Sequence, residues 1–247
     1  MIENKLGGYL FLEGIEPYSC GVLAKTGYEV VHVTLKELLP WRDGLDQAKA
    51  YLEKLGLTCD GLCGVELRSP EAFSMDGFFE FNKGYRELLE NWGLMIDGHN
   101  PVARTNVAPS PHGPETVCLH GFSFVAPSAN SEDQTFVIAG GGEVRGELLP
   151  ENIVRRSDTC SAAMTEKANC VMDIMENRLN GLGVNWNQVT TTNVYTVHPL
   201  KTILNEILIP RMGSAAMMGV TWHHSRPPIM EIEFEMDLRG VAQEFVI

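Results

Sequence analysis

The chain has 247 residues, 44% of them hydrophobic, which is enough to bury a full core in one large domain or in two smaller ones. It carries 32 acidic and 19 basic side chains, a formal charge of −13, and no lysine- or arginine-rich run. We therefore expect neither nucleic acid nor an anionic membrane surface as a partner, because both bind clustered cations. The sequence shows no secretory leader and no apolar stretch of about 18 residues, so we expect a cytoplasmic protein with reduced cysteines.

The apolar pattern predicts the same order of elements twice along the chain: strands, a helix, a strand, a second helix and closing strands. In the first half, strands are predicted at 8–12, 28–35, 62–67, 102–107 and 117–125, and helices at 46–57 and 78–92. In the second half, strands are predicted at 136–139, 189–197, 216–222 and 229–238, and helices at 164–182 and 200–212. This order predicts an α+β protein.

The two halves also align residue by residue around the end of the first helix of each. Leu55 and Gly56 align with Leu182 and Gly183, and Leu62 aligns at the same offset with its counterpart in the second half. We interpret this as a tandem duplication, with a first unit at 1–127 and a second at 128–247. The polar, turn-rich stretch 126–133 then serves as the linker.

Several short motifs stand in a fixed order along the chain. They are Glu-Pro-Tyr-Ser at 16–19, Phe-Asn-Lys-Gly-Tyr at 81–85, Val-Ala-Arg-Thr-Asn-Val at 102–107, Ala-Gly-Gly at 139–141 and Met-Glu-Ile-Glu-Phe at 230–234. Together they resemble the signatures of the reactive intermediate deaminase (Rid) superfamily. The resemblance implies two tandem Rid-like, chorismate-mutase-like units, each a mixed β-sheet with two helices packed on one face. It also implies a homo-oligomer, with a trimer favoured.

The same resemblance implies a hydrolytic deaminase that converts a small carboxylate-bearing enamine or imine into a keto acid and ammonia, without a metal or organic cofactor. Arg104 would hold the substrate carboxylate, a role that suits the planar two-pronged guanidinium. Glu231, the first glutamate of the last predicted strand, would activate water as a general acid or base. Tyr18, Asn82 and Gly141 would line the pocket.

Neither half carries a complete set of these residues, which leaves three explanations. A composite site could join Arg104 of the first half to Glu231 of the second. The first half could instead use His120 or Cys118, because Cys118 stands where the family has its glutamate. Both sites could also have decayed, leaving a non-catalytic protein that binds small carboxylates or acts as a scaffold. The deaminase with Arg104 and Glu231 is the favoured prediction, with His120 as an additional pocket residue.

Overall fold

The computed structural model describes residues 1–129 and 134–247, which form two β-sheets. The seven-stranded sheet contains, in spatial order, β1 (Ile2–Asn4), β2 (Tyr9–Leu12), β3 (Gly21–Ala24), β8 (Phe136–Gly142), β12 (Glu235–Gly240), β9 (Thr191–Tyr195) and β10 (Thr221–His223). The six-stranded sheet contains β11 (Ser225–Arg226), β6 (Ala103–Pro109), β5 (Leu62–Arg68), β7 (Cys118–Pro127), β4 (Tyr28–Pro40) and β13 (Gln243–Val246).

Helices pack against each sheet on the face that is turned away from the other sheet. They are α1 (Trp41–Lys54), α2 (Met75–Asn91), α3 (Ser161–Leu182), α4 (Lys201–Ile203) and α5 (Ile209–Met212), with a π-helical turn at Leu204–Leu208 between the last two. Short 3₁₀ turns occur at Cys59–Gly61, Pro150–Asn152, Trp186–Gln188 and Gly213–Met218. In the described part of the chain, no helix is long and apolar enough to cross a membrane.

Alternating side chains on the strands bury both faces of each sheet. On β8, Val137 belongs to the core between the two sheets, whereas Ile138 packs in the core beneath α3. On β4, Val30 joins the inter-sheet core and Val31 joins the core beneath α1 and α2. Neighbouring residues of a strand point to opposite faces, so continuous apolar runs indicate strands that are covered on both sides. The result is a four-layer arrangement, with the two sheets inside and the helices outside.

Strands from both halves of the sequence build both sheets, and this overturns the predicted fold class of two tandem units with one mixed sheet each. From the first half, β3 pairs with β8 through Gly21↔Ile138. From the C-terminus, β13 pairs in parallel with β4 through Gln243↔Val31. Hydrophobic alternation shows which faces of a strand are buried, but it does not identify the neighbouring strand. The prediction of separate sheets was implied by the resemblance to the Rid superfamily, and the hydrophobic pattern could not correct it.

Three predicted elements also differ from the structure. The predicted strand 216–222 begins in the 3₁₀ turn Gly213–Met218, and only its last two residues belong to β10; the predicted strand 229–238 begins only at Glu235. The predicted linker 126–133 starts inside β7, which runs to Pro127, while its residues 130–133 lie outside the described part of the chain. The delayed start of β12 matters most, because it changes which acidic side chains become buried.

Candidate active site

A cavity of about 130 Å³ lies where β6 of one sheet meets β8 and β12 of the other. Its polar lining consists of Tyr18, Arg104, Asn106, Arg178, Glu235 and the glycines Gly140, Gly141 and Gly142. Its apolar lining includes Ile15, Phe78, Ile174, Ile229 and Ile232. The cavity therefore combines an apolar wall with a small number of charged groups, as small-molecule sites usually do.

Arg104 is the buried cation of this cavity, with only 3% of its surface exposed. Its Nη2 donates a hydrogen bond of 2.7 Å to Oδ1 of Asn82 on α2. The guanidinium carbon lies 4.6 Å from the ring centres of both Tyr18 and Tyr85, within the range of cation–π attraction. Burial lowers the pKa of Arg104, but a guanidinium stays protonated in proteins. Arg104 forms no salt bridge with any described carboxylate, so its charge remains available.

Several buried hydrogen-bond donors around Arg104 have no acceptor within the described residues. They are Arg104 Nη1, Asn106 Nδ2, Asn82 Nδ2 and Tyr85 Oη. A buried donor without a partner costs about 1–3 kcal/mol, so proteins rarely keep such groups unless a ligand or water binds them. Arg104 and Asn106 both line the cavity. Together they suit an anion with several acceptor oxygens, such as a carboxylate.

Glu235 is the buried acid of the cavity, with 4% of its surface exposed. It lies beside a β-bulge, because Ala139 and Gly140 of β8 together face the single residue Asp237 of β12. A Cβ atom on Gly140 would overlap with Oε1 of Glu235, so the carboxyl can occupy this position only because residue 140 has no side chain. Burial, reinforced by the nearby Asp237, raises the pKa of Glu235 well above its usual value. The neutral form, which can donate a proton, is therefore favoured.

A buried ion pair fixes the chain segment that leads into Glu235. Lys167 of α3 lies 3.0 Å from Glu143, and neither side chain is exposed. The Glu143 carboxylate also accepts backbone hydrogen bonds of 2.7 Å from Glu233 and 2.9 Å from Phe234. Because the two residues before Glu235 are held in this way, the start of β12 has a defined position relative to α3.

Arg178 of α3 is the second arginine of the cavity. Its Nη1 donates to the carbonyl oxygens of Ala139 at 2.7 Å and Gly140 at 3.2 Å, the two residues of the bulge. A Cβ atom on Gly141 would lie only 3.2 Å from this nitrogen. The consecutive glycines at the end of β8 therefore let Glu235 approach from one side and Arg178 from the other.

The structure brings together four of the six residues singled out from the sequence. Tyr18, Arg104 and Gly141 line the cavity, and Asn82 holds the guanidinium of Arg104. His120 lies elsewhere: it belongs to a second cleft, where its Nε2 is 3.9 Å from Glu66.

Glu231 is not brought to Arg104. It precedes β12 in a turn with a positive φ of 71°. Its carboxylate lies 2.6 Å from Nη2 of Arg156 and accepts a hydrogen bond of 2.6 Å from Ser157. Glu235, which the alternating pattern had grouped with the other acids on one charged face, occupies the cavity instead. The glycines of β8 are the sequence signal that could have indicated a close approach there.

The chain matches, over residues 1–245, the family model described as 2-aminomuconate deaminase CnbZ. It belongs to this family. A curated relative, 2-amino-5-chloromuconate deaminase from Comamonas testosteroni, is 35% identical over 244 residues, which cover 98% of this chain and 96% of the relative. Membership of the CnbZ family confirms the prediction of an enzyme that acts on carbon–nitrogen bonds, and it disfavours the non-catalytic alternative.

Among solved structures, a chorismatase matches with a TM-score of 0.52 and 15% identity, covering 90% of this chain and 77% of the chorismatase. A cyanuric acid hydrolase matches with a TM-score of 0.44 and 9% identity, covering 89% and 69%. The first similarity indicates a shared fold only.

Because the chain belongs to the CnbZ family, the prediction that it is a tandem-repeat member of the Rid superfamily is wrong. The motifs that suggested it are short, and short motifs recur in unrelated chains. The homotrimer was implied by the same resemblance and stays a prediction.

Proposed function

We propose that this CnbZ-family protein hydrolyses an unsaturated amino acid of the 2-aminomuconate type, through its enamine or imine form, to a keto acid and ammonia. The observation that carries the proposal is the pairing of Arg104 and Glu235 in one cavity. An arginine with no carboxylate partner lies close to a buried acid that favours its neutral form. The relative's substrate supports the assignment, because a 2-aminomuconate carries a carboxylate next to the carbon that bears the amine.

Arg104 would bind that carboxylate. Its free Nη1 and the free Nδ2 of Asn106 offer two donors on the same face of β6. Asn82 and the rings of Tyr18 and Tyr85 hold the guanidinium in place, so little motion is needed when the substrate arrives. A carboxylate fixed in this way places the adjacent carbon, where the amine is attached, toward the rest of the cavity.

Glu235 would move the protons of the reaction. Its neutral carboxyl donates a proton to the carbon next to the amine-bearing carbon, which converts the enamine into an iminium ion. The resulting carboxylate removes a proton from the water that attacks the iminium carbon, giving a carbinolamine. A positioned acid or base of this kind typically contributes about 10²–10⁴-fold to the rate.

The last steps return Glu235 to its starting state. It passes the proton to the carbinolamine nitrogen, the carbon–nitrogen bond breaks, and ammonia leaves with the bonding electron pair. The hydroxyl oxygen then forms the ketone and its proton goes back to Glu235. One water is consumed and one ammonia is released for each keto acid formed, so atoms and protons balance.

The test is ammonia release from 2-aminomuconate by the intact protein and by two matched variants, Glu235→Gln and Glu231→Gln. Both variants remove one carboxylate and keep the side-chain size. We expect Glu235→Gln to lower the turnover rate by about 10²–10⁴-fold, and Glu231→Gln to stay within about threefold of the unmodified protein because Glu231 is outside the cavity. If Glu231→Gln lowered the turnover rate more than Glu235→Gln, the acid–base role would belong to Glu231. An absence of ammonia release by the intact protein would overturn the proposal.

A further inference from the structure

We infer that Arg178 binds the second carboxylate of the 2-aminomuconate-type substrate proposed above, which makes Arg178 a specificity-determining residue of the cavity. This inference rests on the proposed function, because it concerns the same cavity and extends the description of its substrate. It assigns Arg178 a part in specificity in addition to its contact with the bulge of β8.

The two arginines reach the cavity from different layers of the protein. Arg104 stands on β6 of the six-stranded sheet, and Arg178 stands on α3, which covers the seven-stranded sheet. Both line the cavity, and both guanidinium groups act electrostatically on Tyr18 and Glu235. A ligand in contact with Tyr18 and Glu235 is therefore within reach of two cations supplied by different elements.

The charges of the cavity favour a dianion. Arg104, Arg178 and Glu235 are its charged or ionisable lining residues apart from Tyr18. With Glu235 in its neutral form, the lining carries two positive charges. One carboxylate balances only one of them, and a cation withdrawn from water without a counter-ion is costly, whether buried like Arg104 or, to a lesser degree, half-buried like Arg178. Two carboxylates balance both.

Arg178 has hydrogen-bonding capacity to spare after its contact with the bulge. Only its Nη1 donates to the carbonyl oxygens of Ala139 and Gly140, and within the described residues its Nη2 and Nε have no acceptor. Arg68 and Arg239, in contrast, both have Glu66 as a counter-ion. The remaining donors of Arg178 can therefore meet a ligand while the bulge contact is kept.

The test compares the binding of two unreactive ligands that share a six-carbon diene chain: muconate, with two carboxylates, and sorbate, with one. Dissociation constants are measured by calorimetry, so the result does not depend on turnover. For the unmodified protein we expect muconate to bind roughly 10- to 100-fold more tightly, the usual effect of one charge-assisted contact. In Arg178→Met, muconate should lose most of this advantage while sorbate changes less than about threefold.

Two further variants keep the result decisive. Arg178→Gln retains an amide donor for the bulge but carries no charge, so it replaces the methionine variant if that protein does not fold, and the same loss of preference is expected. Arg156→Met, which removes a surface arginine outside the cavity, is the matched control and should leave the ratio of the two constants unchanged.

The inference is overturned if the unmodified protein does not distinguish the two ligands, or if the Arg178 variants weaken both ligands equally. The second result would assign Arg178 to holding the bulge alone. Tight, Arg178-dependent binding of muconate without release of ammonia from 2-aminomuconate would contradict the proposed deaminase and leave the dicarboxylate site intact. The two proposals can therefore fail separately.

Discussion

Two largely buried polar clusters among the described residues contain arginine, and they differ in how their charges are balanced. In the cluster around Glu66, the carboxylate lies 3.4 Å from Arg68, 3.2 Å from Arg239 and 3.7 Å from His32. In the cluster around Arg104, the guanidinium has an amide partner and aromatic neighbours but no carboxylate. The comparison indicates that the first cluster is satisfied within the protein, whereas the second keeps capacity for a ligand.

The pKa values of the carboxyl groups in the two clusters, Glu66 and Glu235, are shifted in opposite directions. Burial acts to raise the pKa of Glu66, but His32, Arg239 and Arg68 outweigh it and hold the pKa well below its usual value. For Glu235 the raising effect of burial prevails. The balanced cluster therefore contains a permanently charged carboxylate, and the cavity contains one that favours its neutral form. A second cleft with histidines next to Glu66 is thus a weaker candidate for the reaction than the cavity at Arg104.

Breaking the balanced cluster should have the largest effect on stability. Glu66→Gln leaves the buried Arg68 without its counter-ion, whereas Arg239 keeps Glu244 at 2.6 Å, and we expect the free energy of unfolding to fall by about 3 kcal/mol, the lower end of the cost of breaking a buried ion pair. The measurement is urea unfolding followed by circular dichroism, with Glu231→Gln as the surface control, for which no change in the midpoint is expected. A loss for Glu66→Gln as small as that of the control would contradict the structural role of this cluster.

Removing the unbalanced cation should instead affect activity. In Arg104→Met the substrate carboxylate loses its buried partner, so we expect kcat/KM to fall by about 100-fold or more. The free energy of unfolding should stay the same or increase, because a buried guanidinium without a counter-ion is removed. Steady-state kinetics and urea unfolding on the same sample test both parts. A large loss of stability with retained activity would show that Arg104, like the arginines beside Glu66, stabilises the fold and does not bind the substrate.

A smaller effect is expected from crowding Glu235 without removing it. The added methyl group of Gly140→Ala overlaps with Oε1 of Glu235, so the carboxyl must move, and a displaced catalytic group can cost up to about 10²-fold in kcat. Gly84→Ala in α2 is the matched control, because its added methyl group meets only Arg42 at 3.4 Å. For the control we expect unchanged kcat and a stability gain of up to about 1 kcal/mol. Equal kinetics for the two variants would show that the close approach at Gly140 is not needed.

The histidines near Glu66 predict a modest pH dependence of stability. Burial, together with Arg68, lowers the pKa of His120 and of His223 to about 4, from an ordinary value of 6.5. Between these values the unfolded chain binds protons that the folded protein does not, so stability falls as the pH drops from about 6.5 toward 4. His223→Gln should reduce this slope by about one proton when urea unfolding is compared at several pH values in that window. An unchanged slope would contradict the neutral state of His223.

The sequence by itself determined the local structure of much of the chain. Gly56 and Gly183 indicated two helix ends, and both glycines have the left-handed conformation that closes a helix, with φ of 74° and 75°. The apolar pattern predicted strands at 28–35 and 136–139, where the structure has β4 and β8. Arg104, in a short apolar run, was recognisable as a candidate carboxylate anchor, and the structure places it in the cavity. These features depend on residues within a few positions of one another in the sequence. Hydrophobic periodicity and turn-forming residues therefore suffice to predict them.

Only the tertiary structure decided which strands share a sheet and which acid lies in the same cavity as Arg104. The alternating pattern placed Glu231 and Glu235 on the same charged face of one predicted strand. In the structure, β12 begins only at Glu235. The bulge that accommodates the Glu235 side chain lies on β8, far away in the sequence. The approach of Arg178 from α3 to that bulge is equally non-local. Such contacts depend on the pairing of distant strands and on a helix packed across them, and no local pattern in the sequence encodes either one.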